Sequence, residues 1–155
     1  MYGKGASLVA RLLAIAVRPP GIETMQLLVS AKMTPESGLH GDKRSRSGRR
    51  QVTVMTQSDW QRACEEVGVE LAWTTRRANL LIDELILYES TGALIQIGSI
   101  LLEVTGESDP CAKMEASCSG LFRALKPYWR GGVTCKVIKG GNFRCGDSVI
   151  LKPKI

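Results

Sequence analysis

The segment Glu107-Ser108-Asp109-Pro110-Cys111 directly follows the apolar run Ser99–Thr105 and the glycine at 106. Gly106 lets a strand end sharply, and Pro110 fixes the backbone immediately before the thiol. A cysteine on such a loop meets solvent and can react as its thiolate, whereas most free cysteines are buried and inert. Position alone therefore makes Cys111 the candidate nucleophile or soft metal ligand. The other four cysteines, Cys64, Cys118, Cys135 and Cys145, are scattered; none forms a Cys-x-x-Cys pair, and His40 is the single histidine. A closed zinc site needs about four N/S ligands at short spacing, so this pattern disfavours one. An odd set of unclustered thiols reads instead as a reduced, cytoplasmic protein. Cys118 is spaced to act as a resolving thiol for Cys111, but burial is the simpler account of it.

Charge is the second concentration of chemistry. The chain carries 21 Lys+Arg against 15 Asp+Glu, a net charge of +6. That excess suits an anionic partner without naming one: nucleic acid, a phosphate-bearing cofactor and an anionic membrane all qualify. It gathers between Gly38 and Arg50, in Lys43, Arg44, Arg46, Arg49 and Arg50, and again at Arg76-Arg77. Aromatic residues are few and none interleaves with the Arg-rich loop, which makes nucleic acid, held by stacking and charge, an unlikely partner.

These groups need a scaffold, and at 155 residues the chain is sized for one domain, 1–155, with one sizeable core. Residues 8–17 form a strand candidate closed by Pro19-Pro20-Gly21. The apolar stretch from Ala6 to Val17 is interrupted by Arg11 and is much shorter than the roughly 20 residues of a membrane span, so no membrane partner is expected. A second strand is expected over 25–31, followed by a turn at 34–38. Residues 51–55 alternate polar and apolar as a half-buried strand does. Ser58 or Asp59 can cap a helix over 58–67, with Trp60, Ala63, Cys64 and Val67 on its apolar face and Gly68 as its stop. A polar lead, 76–79, then enters the apolar run Leu80-Leu81-Ile82. Further on, strands are expected at 93–97, 99–105, 132–138 and 143–145, divided by Gly and Asp turns, and a short helix at 119–125. Many short strands at near-regular spacing with few helices predict a mainly β fold, a closed or nearly closed β-barrel. Arg130-Gly131-Gly132 and Gly140-Gly141 then serve its tight turns and bulges, Tyr128 and Trp129 pack core or rim, and Cys64, Cys135 and Cys145 read as buried.

Residues 103–147 contain E-V-T-G-E-S-D-P-C-A-K-M-E, then G-L-F-R-A-L, Y-W-R-G-G-V and G-G-N-F-R-C-G-D, in that order. This resembles the C-terminal half of MOSC domains, named for the C-terminal domain of molybdenum-cofactor sulfurase. Gly38-Leu39-His40-Gly41-Asp42 looks like the same family's G-L-x-G-D loop, and Arg76-Arg77-Ala78-Asn79-Leu80 like its Asn-Leu segment. Two departures bear on substrate preference and cofactor retention: Arg49-Arg50-Gln51 stands where some members carry His-Gly-Gly, and Ala78 precedes Asn79 where many carry Glu.

The resemblance implies a β-barrel whose cysteine, here Cys111, either ligates molybdenum or carries sulfur. A thiolate serves both roles, as ligand to a thiophilic metal and as the species that forms a persulfide. A molybdopterin cofactor carries a phosphate and a flat polar pterin, so its cradle needs Arg or Lys donors. Arg49, Arg50, Arg76, Arg77 and Asn79 are the candidates for that cradle, with a solvated basic loop as the alternative for Arg49 and Arg50. Lys43, Arg44 and Arg46 read as solvated loop. Asp109 is a candidate to orient substrate or relay a proton near the metal, with a plain turn residue as the alternative. His40 reads as a surface residue, and Asp42 as bonded to its own loop. The implied function is molybdenum-dependent reduction of N-hydroxylated small-molecule substrates. No flavin, haem or iron–sulfur motif is present, so electrons would come from a donor protein. The alternative is a sulfur carrier loaded by a cysteine desulfurase.

Overall fold

The alternating runs of the sequence pair edge to edge until the sheet meets itself. A computed structural model of the chain describes residues 9–44 and 47–154. Its strands are β1 (Val9–Val17), β2 (Gln26–Leu28), β3 (Ser30–Thr34), β4 (Gly38–Leu39), β5 (Val52–Thr56), β6 (Leu80–Ile82), β7 (Leu94–Ile97), β8 (Ile100–Glu107), β9 (Val133–Lys139), β10 (Gly141–Arg144) and β11 (Ser148–Lys152). Seven of them run around the barrel in the order β11-β7-β8-β9-β5-β6-β1, and β1 returns to β11 through the pairs Val9↔Ile150, Ala10↔Val149 and Arg11↔Ser148. Every neighbouring pair in this ring is antiparallel except β5–β6. A parallel pair requires a crossover rather than a hairpin, and α1 (Gln57–Val67) lies in that connection. The expected mainly β barrel with few helices is thus what forms, and its closure leaves few exposed sheet edges.

The period-two pattern decides what each strand buries. Leu12, Val54, Leu80, Ile97 and Leu102 point inward and are almost completely buried, each contributing about 1.5–3 kcal/mol of hydrophobic stabilisation. On the opposite faces of β5 and β6, Met55 and Leu81 pack into a second cluster with Trp60, Ala63, Met114, Leu121 and Leu125. Those residues come from α1, α2 (Ala112–Ser117) and α3 (Leu121–Leu125). Covered on both sides, β5 is buried at all five positions. A smaller three-stranded sheet, β10-β3-β4, lies beside the barrel.

Local differences from the sequence reading have local causes. Thr56, rather than Ser58 or Asp59, caps α1: its hydroxyl accepts the Asp59 N–H at 3.1 Å. Gly68 stops the helix as expected, left-handed at φ 83° and donating to Cys64 and Glu65 carbonyls. The strand expected over 25–31 breaks at Val29, because Val29 turns its carbonyl to Cys145 while the chain passes from β1 to β10. Helix α2 and strand β11 were not foreseen, and Leu8 of the first strand lies outside the described residues.

The tightest approach in the barrel is at Gly132. A Cβ there would stand 2.2 Å from the Val54 carbonyl oxygen, and the residue sits at φ +95°. Gly132→Ala is therefore expected to cost at least about 2 kcal/mol, measured by urea unfolding; a loss under half that would show that β5 and β9 can part without penalty.

Candidate functional site

Strand β8 ends at Glu107, paired with Val133, and the chain is held there by the Ser108 N–H donating to the Gly132 carbonyl at 2.9 Å. Ser108 and Pro110 are buried, which turns Asp109 and Cys111 outward. Cys111 is exposed and stands at the N-cap of α2, where its carbonyl accepts the Met114 N–H at 2.9 Å and its side chain makes no capping bond. The thiol is thus left for other work. Cys64 and Cys135 are buried, and burial pushes both thiols up. Cys118 and Cys145 are partly covered.

Beneath this loop lies Arg76, the last residue of a 3-10 turn (Trp73–Arg76). Its Nη2 donates to the Ser108 carbonyl at 2.6 Å and to the Ser108 hydroxyl at 2.9 Å. The side chain is about nine-tenths buried, yet its Nε has no hydrogen-bond partner among the described residues. An open buried donor costs free energy unless something outside the chain satisfies it. Burial pulls the Arg76 guanidinium below its ordinary value; Cys111 acts against that, the Arg44 charge adds to it, and Asp109 and Glu107 again oppose it. Gly131 permits the contact, since a Cβ there would stand 2.8 Å from the Ser108 carbonyl and 3.1 Å from Arg76 Nη2.

Glu107 and Asp109 both lie near enough to this guanidinium to act on its charge. Desolvation first, then the neighbouring Asp109 charge, raises Glu107 above the usual glutamate value, while Lys126 and Arg76 oppose the rise.

A second group of charges lines a small pocket formed by Arg18, Met25, Asp42, Lys43, Arg44, Arg77 and Asn79. Buried Asp42 organises it, accepting from the backbone N–H of Arg18 at 2.9 Å and of Arg44 at 3.0 Å, and from Asn79 Nδ2 at 3.3 Å. It therefore bonds its own loop, as expected, and also ties that loop to β1 and β6. Asn79 is buried; its Oδ1 accepts the Thr53 N–H and hydroxyl at 3.0 and 3.1 Å, and its Nδ2 also reaches the Ala16 carbonyl at 3.2 Å. Its amide is taken up by β5, by β1 and by the Asp42 loop, so it positions the pocket wall rather than offering spare donors.

Of the candidates read from sequence, Cys111, Asp109 and Arg76 come together in one cluster, and Arg77 and Asn79 in the neighbouring pocket. Arg49 and Arg50 are exposed; the Arg49 carbonyl accepts the Thr105 hydroxyl at 2.6 Å. Sequence reasoning gives Arg18 no role, and Lys43 and Arg44, read as solvated loop, are exposed and also line the pocket. Glu107 was overlooked as a partner of Asp109. Its only signal was the spacing of two, which puts both carboxylates on one side of an extended segment. His40 is exposed, and Arg46 lies outside the described residues.

The molecule is thus a closed mixed β-barrel with a thiol-bearing loop over a buried arginine and a basic pocket alongside. The model of the MOSC domain matches residues 37–150, and the chain belongs to that family. Among solved structures the fold is similar to the YuaD protein from Bacillus subtilis, with a TM-score of 0.80 at 17% identity over 95% of this chain and 97% of that one. It is also similar to YiiM from Geobacillus stearothermophilus, TM-score 0.72 at 16% identity over 92% and 74% of the two chains. YiiM from Escherichia coli gives a TM-score of 0.67 at 19% identity over 94% and 71%. Comparison with curated protein sequences finds no match. No helix among the described residues is long and apolar enough to cross a membrane.

Two outcomes test this geometry. Because Glu107 has a raised value in the fold, its ionisation works against folding: the stability of the protonated form is present at acid pH and lost as pH rises through the folded value. Glu107→Gln is expected to melt about 1–3 °C above wild type at pH 7, with the gap closing near pH 4, in a calorimetric pH series. Asn79→Ala, which strands the Thr53 and Asp42 partners, is expected to cost about 3 kcal/mol in denaturant unfolding.

Proposed function

We propose that the chain holds a molybdenum–pterin cofactor with Cys111 as the protein's ligand to the metal, and that it reduces N-hydroxylated compounds. The observation that carries this reading is the exposed Cys111 thiol beside buried Arg76, whose Nε lacks a partner among the described residues. The donor set fits the group. A soft thiolate suits a thiophilic metal. Among the described residues no three His, Cys, Asp or Glu side chains gather to hold a metal ion, so further ligands would come from the pterin's own sulfurs. Arg18, Lys43, Arg44 and Arg77 suit its phosphate.

When bound, the group supplies a two-electron centre able to take oxygen from a substrate nitrogen. The chain's own residues do the rest. Cys111 would anchor the metal, while Arg76 fixes Ser108 and supplies positive charge beside Cys111. Glu107, raised by desolvation and by the Asp109 charge beside it, would be the carboxyl able to hand a proton to a substrate bound at Cys111, with Asp109 orienting that substrate. Electrons would arrive from a separate donor protein.

An exposed thiol over a guanidinium equally suits a persulfide anion, which supports a sulfur carrier as the second reading. The deciding measurement is molybdenum content with pterin fluorescence on wild type and Cys111→Ser, both made in a cofactor-producing host. Stoichiometric molybdenum that is lost in the variant is the expected result. Molybdenum absent from both proteins, with labile sulfane sulfur on Cys111, would establish the carrier instead.

A further inference from the structure

The hairpin-like turn that leads into β9 contains a backbone feature that barrel closure does not demand. Tyr128 and Trp129 are consecutive non-glycine residues in the left-handed region, at φ 53° and 55°, and Glu89, next to Tyr88, is a third at φ 55°. Side chains with a Cβ adopt this conformation rarely, and it persists only where surrounding contacts hold it. Here they do. Arg130 is buried, pairing with Glu66 at 2.9 Å and donating to the Ala124 carbonyl at 3.0 Å. The Gly132 N–H donates to the Trp129 carbonyl at 2.9 Å.

The strain brings three rings together. Tyr88 stands edge-on to Tyr128, with centroids 5.5 Å apart and planes at 77°, and to Trp129 at 6.0 Å and 84°. Trp129 packs partly against the barrel core, whereas Tyr128 is 54% and Tyr88 37% exposed. Rings meeting near right angles form a corner in which a planar ligand ring can stack on one face while meeting the edge of another.

The corner belongs to the same end of the barrel as the thiol. Gly132, which closes the Tyr128–Trp129 turn, accepts the Ser108 N–H at 2.9 Å, and Gly131 backs onto the Arg76–Ser108 contact. Lys126, just before the turn, is near enough to act on the Glu107 carboxyl.

We infer that Tyr88, Tyr128 and Trp129 form a recognition corner for the planar aromatic body of the substrate, so that the protein prefers aromatic over aliphatic N-hydroxylated compounds. This inference rests on the reading of the Cys111 loop as the reaction centre. Tyr88 and Tyr128 act as specificity-determining residues; the metal and the Glu107 and Asp109 carboxyls are not theirs to position.

The experiment compares benzamidoxime with acetamidoxime on the cofactor-loaded wild type, Tyr128→Ala and Tyr88→Leu. Binding is titrated through tryptophan emission without an electron donor, and KM is measured with one. Each variant is expected to weaken benzamidoxime about five- to tenfold in Kd and KM, with acetamidoxime changed less than twofold and molybdenum content unaltered. Equal weakening of both compounds, or of neither, would overturn the inference. The two readings fail separately. A wild type that reduces neither compound but binds benzamidoxime through these tyrosines loses the reaction and keeps the corner. One that reduces both with unchanged preference in the variants keeps the reaction and loses the corner.

Discussion

Where β9 begins, the main chain at Gly131 and Gly132 lies against two things at once: the Val54 carbonyl of β5 and the Arg76–Ser108 pair under the thiol loop. Side-chain-free backbone is what permits both contacts, since either position would drive a Cβ into a neighbouring carbonyl. The same short segment therefore sets the β5–β9 spacing of the barrel and the depth at which Arg76 is buried. Its Gly132 carbonyl also receives Ser108, which ends β8 and projects Cys111. Barrel closure and site geometry are one constraint seen from two sides.

Burial of Arg76 is costly, and the balance is electrostatic. The guanidinium loses solvation but gains Ser108 and a local field from Cys111, Asp109 and Glu107. Desolvation, and then the Asp109 charge, pushes the Glu107 carboxyl up, while Lys126 and Arg76 oppose the rise. A thiol, a buried cation and a raised carboxyl thus arise from one packing arrangement. The basic pocket of Arg18, Lys43, Arg44 and Arg77 is organised separately, by Asp42 and Asn79, which link β1, β5 and β6 through side-chain bonds.

The sequence already contained the strand pattern of the barrel, because period-two burial is a local property: Val52 and Val54 share the inward face that their spacing indicates. The half-buried reading of 51–55 fails because the helices cover the other face and bury Thr53 and Met55 too. Gly68 as a helix stop was legible for the same reason, whereas the cap slipped to Thr56 because several hydroxyl and carboxylate side chains compete at that position. Helix α2 escaped notice because Ala112–Ser117 buries only Met114, too little to leave a helical apolar stripe. β2 and β3 read as one strand because their residues are continuous in composition; only their different partners, β1 and β10, separate them.

For the site, the sequence by itself determined the thiol loop. Pro110 and Cys111 follow the apolar run closely enough to place a cysteine just after a strand, although β8 runs on through Gly106 to Glu107 instead of stopping at the glycine, because both residues still pair with β9. Only the tertiary structure decided which cations matter. Arg76 and Arg77 are neighbours in sequence, yet one lies under Ser108 and the other faces Arg18 and Lys43 across a pocket. Arg18, 24 residues before Asp42, joins that pocket through a backbone bond. Charge acts through space rather than along the chain, so its grouping emerges only when the barrel closes and brings distant strand ends to the same rim.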